Sequence, residues 1–231
     1  MKFSSIALSI ASVLACSGLA AQDIHFGGQV TLAKPMGDLG GKEVTVSDPS
    51  GVKSQFGSLD GKFGYGLGIH ALIDLKNGHA IVPKIDYTTF KNSQDSTVSI
   101  SGVSMQRTDD VKVTAINLGA DYNYFLGGKT SEGFYFLGGL GYSSAKLEAT
   151  RTARISGQAL TASDAPTKSA FYLQAGLGYF FTPRMGAELR YVQTTYSDVT
   201  LAMQFGSEPK TSYKVGDLSA PSIQASFVLR F

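Results

Sequence analysis

The sequence predicts an all-β protein: an eight-stranded antiparallel up-and-down transmembrane β-barrel. Three observations carry that prediction. Apolar residues recur at every second position in eight separate segments, the period of a strand whose two faces meet different surroundings. Charges within those segments keep to the less apolar face. The connections alternate long and short, as in a membrane barrel with an even number of strands.

The clearest segment is the last, Ala220 to Phe231. Phe231, Leu229, Phe227, Ala225 and Ile223 form one face, and Arg230, Val228, Ser226, Gln224 and Ser222 form the other. The aromatic Phe231 is expected to sit at a boundary. Bulk composition agrees with a barrel. The 231 residues carry 16% charged side chains, 27 Gly, 11 Tyr and 14 Phe, which suits a strand-rich chain with many turns. A formal charge of +2 gives no reason to expect a nucleic-acid partner. Beyond the N-terminus no apolar run approaches the ~20 residues of a membrane helix. A chain that crosses lipid without one must close its sheet, because open edges cannot be satisfied there.

Met1 to about Ala21 has the layout of a secretory signal. Lys2 is the positive end, Ile6 to Ala15 the short apolar core, and Gly18 to Ala21 the small-residue cleavage site. Cleavage after Ala20 or Ala21 leaves residues 22–231 as the barrel domain. Cys16, the only cysteine, goes with the signal, so the mature chain forms no disulfides. The rival is a lipoprotein signal at Val13 to Cys16. Leu14 stands where such signals usually have a small residue, which favours ordinary cleavage.

The eight segments follow in order. Ile24 to Ala33 sets Ile24, Phe26, Val30 and Leu32 against His25, Gln29 and Thr31. Phe63 to Leu75 sets Phe63, Tyr65, Leu67, Ile69 and Ile73 against His70, Asp74 and three glycines. Asn77-Gly78 then marks a tight hairpin. Ala80 to Phe90 sets Ile81, Pro83, Ile85 and Tyr87 against Lys84, Asp86 and Thr88. Pro83 lacks a ladder donor and predicts a bulge or local break. Val111 to Leu126 sets Ile116, Leu118, Tyr122 and Tyr124 against Asn117, Asp121 and Asn123. Gly133 to Ala145, Ser169 to Phe181 and Met185 to Ser197 repeat the pattern, the last with Glu188 and Arg190 on its polar face.

The long connections are about Lys34 to Lys62, Lys91 to Asp110, Lys146 to Lys168 and Asp198 to Ser219. Aromatic residues gather near both strand ends and suggest two interfacial belts. Asp74, Lys84, Asp86, Asp121, Glu188, Arg190 and Arg230 all share the face opposite the apolar one. A basic residue facing mid-bilayer costs roughly 2–4 kcal/mol, so the uncharged face is the lipid face. Eight strands leave an interior that side chains can fill.

Ala80 to Tyr87, Leu118 to Phe125, Tyr135 to Tyr142 and Ala187 to Tyr191 resemble the small bacterial outer-membrane β-barrel superfamily. It includes outer membrane proteins A, X and W and the opacity-type proteins, and the resemblance runs over the whole mature chain. It implies a Gram-negative outer membrane, surrounding lipid and lipopolysaccharide as partners, and no cofactor. It also makes Phe227, Leu229 and Phe231 a C-terminal signature for the barrel-assembly machinery. No peptidoglycan-binding domain is expected after Phe231.

His70 and Asp74 fall on one inward face. His25 is expected nearby through the first hairpin, and Arg230 across the closing seam. Such a group could be a metal or proton-responsive site. With no Cys or repeated His spacing, a hydrogen-bonded plug is the reading preferred. No enzyme is expected either. The His-x-Ser-Asn type signature of barrel lipid A-modifying enzymes is absent, and no Ser can be paired with a His. Gly128-Lys129-Thr130 lacks the first glycine of a phosphate loop and sits in a hairpin turn.

Two functions remain. One is a plugged scaffold displaying four surface loops for envelope integrity, adhesion or another extracellular ligand. The other is a narrow channel for small or apolar solutes, as in the protein W branch. The ion pairs Lys84 with Asp86 and Glu188 with Arg190 are the candidate plug or gate.

Overall fold

The computed structural model describes residues 23–40, 44–47, 53–56, 62–100, 103–155, 158–204 and 209–231. The predicted signal segment, with Cys16, lies outside the described residues. Twelve strands occur among those described: β1 (Ile24–Pro35), β2 (Val44–Ser47), β3 (Lys53–Phe56), β4 (Gly64–Lys76), β5 (His79–Ile100), β6 (Val103–Phe125), β7 (Gly133–Ile155), β8 (Gln158–Asp164), β9 (Thr167–Thr182), β10 (Met185–Met203), β11 (Thr211–Ser219) and β12 (Ser222–Arg230). A single 3-10 turn, Gly37–Leu39, follows β1.

Eight of the strands close a ring in the order β12, β1, β4, β5, β6, β7, β9, β10, and β10 pairs back onto β12. Every pairing in it is antiparallel. The predicted alternation sets which side chains enter the barrel. In β12, Ser222, Gln224, Ser226, Val228 and Arg230 are buried, while Ile223, Phe227 and Leu229 stand outward. The same phase turns Val30, Leu67, Ile85, Leu140, Leu173 and Leu189 to the outside. A soluble protein would hide such residues. A membrane barrel wets them with lipid.

The short turns obey local chemistry. Lys76 pairs with His79, and Asn77 and Gly78 between them have φ of 54° and 82°. Those are the two positive angles of a tight type I′ hairpin, which Asn-Gly tolerates best. At Pro83 the ladder to β4 lapses between His70↔Lys84 and Ile73↔Ile81 with no change of register. The ladder to β6 continues through Pro83↔Ala120. The missing N–H therefore makes a local break on one side and no bulge.

The long connections differ from expectation. Lys91 to Asp110 is not an open loop: β5 and β6 stay paired without interruption from His79↔Tyr124 to Ile100↔Val103. Above the bilayer the outward face meets water and the inward positions are often polar or small, as with the buried Asn92, Asp109, Ala149 and Ala162, so the apolar alternation that marks a strand in sequence fades while pairing persists. β7 likewise continues upward against β8, and β10 against β11. Pro166 and Pro221 divide β8 from β9 and β11 from β12. A proline cannot donate to the ladder. At Pro221 the wall stays hydrogen-bonded on both sides: Met36 donates its N–H to the Pro221 carbonyl at 2.7 Å and Ala220 to the Thr194 carbonyl at 2.9 Å, and the Gly37–Leu39 turn then packs Leu39 into the mouth. Ser219 N donates to Asp38 Oδ2 at 2.7 Å and Asn92 Nδ2 to the Leu39 carbonyl at 3.1 Å, which pins the turn.

Candidate functional site in the barrel interior

Inward side chains stack in three layers. At the short-turn end Phe125, Tyr135 and Phe180 are packed ring on ring. Centroids lie 4.6 Å apart for Phe125–Tyr135 and 5.5 Å for Tyr135–Phe180. Leu72, Val82, Leu137 and Val228 fill the space around them. The Arg230 guanidinium lies 3.4 Å from the Phe180 ring centroid, a cation–π contact. Its Nη1 donates to the Thr130 carbonyl at 2.5 Å.

The middle layer is charged. Lys84 Nζ donates to Asp121 Oδ2 at 2.7 Å and lies 3.8 Å from Asp86 Oδ2. Arg190 Nε lies 3.1 Å from Glu188 Oε2, and its Nη2 donates to Gln29 Oε1 and Ser226 Oγ at 2.9 Å each. Tyr135 donates its hydroxyl to Glu188 Oε1 at 2.6 Å. Gln29 joins the two groups, because its Nε2 also donates to Asp86 Oδ1 at 2.6 Å. Gln174 Nε2 donates to the other oxygen of Asp121. The cations Lys84, Arg190 and Arg230 balance the anions Asp86, Asp121 and Glu188. Burying them without that balance would be prohibitive.

The third layer, towards the mouth, is apolar again: Leu39, Val113, Ala115, Leu147, Tyr196, Val199 and Leu218. Between the aromatic and charged layers is a cavity of about 10 Å³ bordered by Gln29, His70, Lys84, Asp121, Glu188 and Arg230. That is room for about one water molecule.

The predicted residues do not all converge. Lys84, Asp86, Asp121, Glu188 and Arg190 form one network. His70 is buried beside them, across from Gly27 and Lys84. Asp74 belongs to the short-turn end, where it accepts from Thr130 Oγ1 at 2.9 Å and from Lys76 N at 2.7 Å. His25 is exposed near the start of β1, opposite Leu72, which stands between His70 and Asp74 on β4. The register puts Gly27 opposite His70, so His25 falls at the barrel rim. Among the described residues no three His, Cys, Asp or Glu side chains are grouped to hold a metal. Sequence reasoning missed Gln29 as the link and Tyr135 as the Glu188 donor. Both were legible as inward residues of their strands, but no local pattern shows which partner an inward side chain reaches across the barrel.

Glycines make this network possible. A Cβ on Gly139 would collide with Asp121 Oδ1 and with the Ala120 carbonyl, and one on Gly68 would collide with Asp86 Oδ1. Gly138, the outward neighbour, meets nothing within 4 Å. Gly139→Val is therefore expected to destabilise the barrel by about 1–3 kcal/mol through overpacking. Gly138→Ala should change stability by less than about 0.5 kcal/mol. Urea unfolding of the two variants in the same vesicles reads the difference.

A closed ring, a lipid-facing apolar exterior and a packed interior define a small membrane-spanning β-barrel. The family model described as outer membrane protein beta-barrel domain matches residues 5–231, and the chain belongs to that family. Its place is the bacterial outer membrane. Solved structures similar to it include three small outer-membrane proteins. Neisserial surface protein A is 16% identical over 89% of this chain and 97% of its own, with a TM-score of 0.44. Ail, the attachment invasion locus protein of Yersinia pestis in complex with the heparin analogue sucrose octasulfate, is 13% identical over 90% and 99%, TM-score 0.41. OprG of Pseudomonas aeruginosa is 11% identical over 91% and 96%, TM-score 0.46. No curated protein matches the chain.

Proposed function

We propose that this chain is a sealed, non-enzymatic scaffold that carries β-structure on the outer surface of the bacterium. The observation that supports this best is the layered interior. A charged network lies between an aromatic layer and an aliphatic one, beside a cavity of only about 10 Å³. A solute path would have to break both apolar layers and part the ion pairs. The tall β5–β6 and β7–β8 ladders then make the outer part of the molecule a rigid platform for adhesion or envelope contacts. The three histidines favour a non-enzymatic role: His25 and His79 lie at the short-turn end and His70 inside the barrel, none at the mouth. The signal directs export and is removed near Ala20 or Ala21, and the assembly machinery then reads the outward Phe227 and Leu229 together with Phe231.

The test is conductance of the refolded mature chain across a planar bilayer. Current indistinguishable from protein-free membranes is expected. Discrete, reproducible steps would overturn the sealed scaffold in favour of a narrow solute channel gated at Glu188 and Arg190.

A further inference from the structure

The three connections at the short-turn end are unequal. Two are tight, Asn77-Gly78 and Pro183-Arg184, whereas the β6–β7 connection runs over residues 126–132. The short-turn end of such a barrel faces the periplasm. Leu126 to Lys129 are exposed there, and then the chain dips and buries Thr130. The tip reaches under the barrel, where Thr130 Oγ1 donates to Asp74 Oδ2 at 2.9 Å and the Thr130 carbonyl accepts from Arg230 Nη1 at 2.5 Å.

Glycines in the left-handed region flank that buried tip. Gly128 has φ of 70° and Gly133 φ of 95°, angles that a side chain opposes and glycine takes freely. A Cβ on either would meet nothing within 4 Å. Gly128 rests on a third glycine, since a Cβ added to Gly78 would lie 2.9 Å from Gly128 Cα. The contact is backbone on backbone, with no interlocking side chain. The hold on the tip is therefore polar. The mouth is closed differently, by Leu39 packed among Val113, Leu147, Val199 and Leu218. Loss of one hydrogen bond does not undo apolar burial of that kind.

Arg230 connects the turn to the interior. Its guanidinium is held between the Thr130 carbonyl and the face of the Phe180 ring. The same side chain forms one wall of the cavity beside His70, Lys84 and Glu188. Its Nε and Nη2 have no hydrogen-bond partner among the described residues. When Thr130 leaves, Arg230 loses its anchor on the periplasmic side, and that wall of the cavity is free to move.

We propose that Lys129 to Glu132 form a periplasmic lid, hinged at Gly128 and Gly133 and latched by Thr130 to Asp74 and Arg230. Swinging out, the lid opens the inner cavity to periplasmic water while the mouth stays shut. Hinges of this kind are a few loop residues that absorb a change of φ and ψ. The buried charges then exchange water with one side of the membrane only. Opening at one end conducts nothing while the mouth stays packed, so a silent bilayer is compatible with a working lid.

The test places single reporter thiols in the full mature chain, whose residues 22–231 contain no cysteine. Val228→Cys sits beside the cavity and Val199→Cys in the mouth layer, and both native side chains are 2% exposed. The chain is refolded in detergent micelles, so that a small water-soluble methanethiosulfonate reaches both ends. Heat-modified mobility on a gel checks folding. Labelling then reads the open population at each end. Val228→Cys is expected to react faster than Val199→Cys. Thr130→Ala, which removes the bond to Asp74, should speed Val228→Cys labelling about fivefold, the worth of one hydrogen bond, and leave Val199→Cys unchanged. Thr130→Ser keeps the hydroxyl and should leave Val228→Cys at the native rate. Equal labelling of the two reporters with the native turn would overturn the lid, and that comparison holds even if Thr130→Ala fails to refold. Acceleration of both reporters by Thr130→Ala, or of neither, would also overturn it, assigning Thr130 to general stability.

Discussion

Arg190→Ala is expected to lower the stability of the folded barrel by about 3–5 kcal/mol, the usual cost of removing one partner of a buried ion pair. Arg190 is 1% exposed. Its loss leaves Glu188 with Tyr135 alone and frees the Gln29 and Ser226 acceptors inside a dry interior. The measurement is the urea midpoint of refolded protein, followed by its heat-modified mobility on a gel. Adding Glu188→Gln to an Arg190→Met variant should recover a large part of the loss, because the uncompensated charge does most of the damage. If the double variant is no better than Arg190→Ala, the network stabilises through its shape and not through charge balance.

Phe180→Ala is expected to cost a similar amount, about 3–5 kcal/mol, for a different reason. Phe180 is 2% exposed, packs on Tyr135 and Phe125, and carries the Arg230 guanidinium on its ring face. Truncation opens a cavity next to the existing one and releases Arg230 from its aromatic seat. Water should then reach the charged layer from the short-turn end. The variant should therefore combine a lower urea midpoint with faster amide exchange at the inward residues of β10 and β12. A loss below about 1 kcal/mol would show that the aromatic layer is packing filler and seals nothing. In that case the sealed scaffold would lose its main support.

The strands inside the bilayer were legible because lipid and interior impose opposite demands on alternate residues. Ile81, Ile85 and Tyr87 against Lys84, Asp86 and Thr88 leave no other phase for β5, and β12 is equally plain. The ladders above the bilayer were not legible. Residues 92–97, Asn-Ser-Gln-Asp-Ser-Thr, read as a solvated loop, yet they pair residue by residue with β6. The inward face there is still buried, at Asn92 and Asp109 for example, but it is filled by polar side chains, so the sequence carries no apolar record of which face is which.

The interior shows the same division. Sequence alone determined the ring of eight strands, the face each charge occupies and the sites of turns, because those follow from period, from the cost of a charge in lipid and from turn chemistry. It could not determine partners. Lys84 was paired with Asp86, two residues away on its own strand, but its shorter contact is to Asp121 on β6. Only the tertiary structure decided these matters, and also that Gln29 bridges both ion pairs and Leu39 folds over the mouth. Each depends on register and strand tilt around a closed barrel. Those bring together residues distant in the chain, and no local pattern encodes the distance between them.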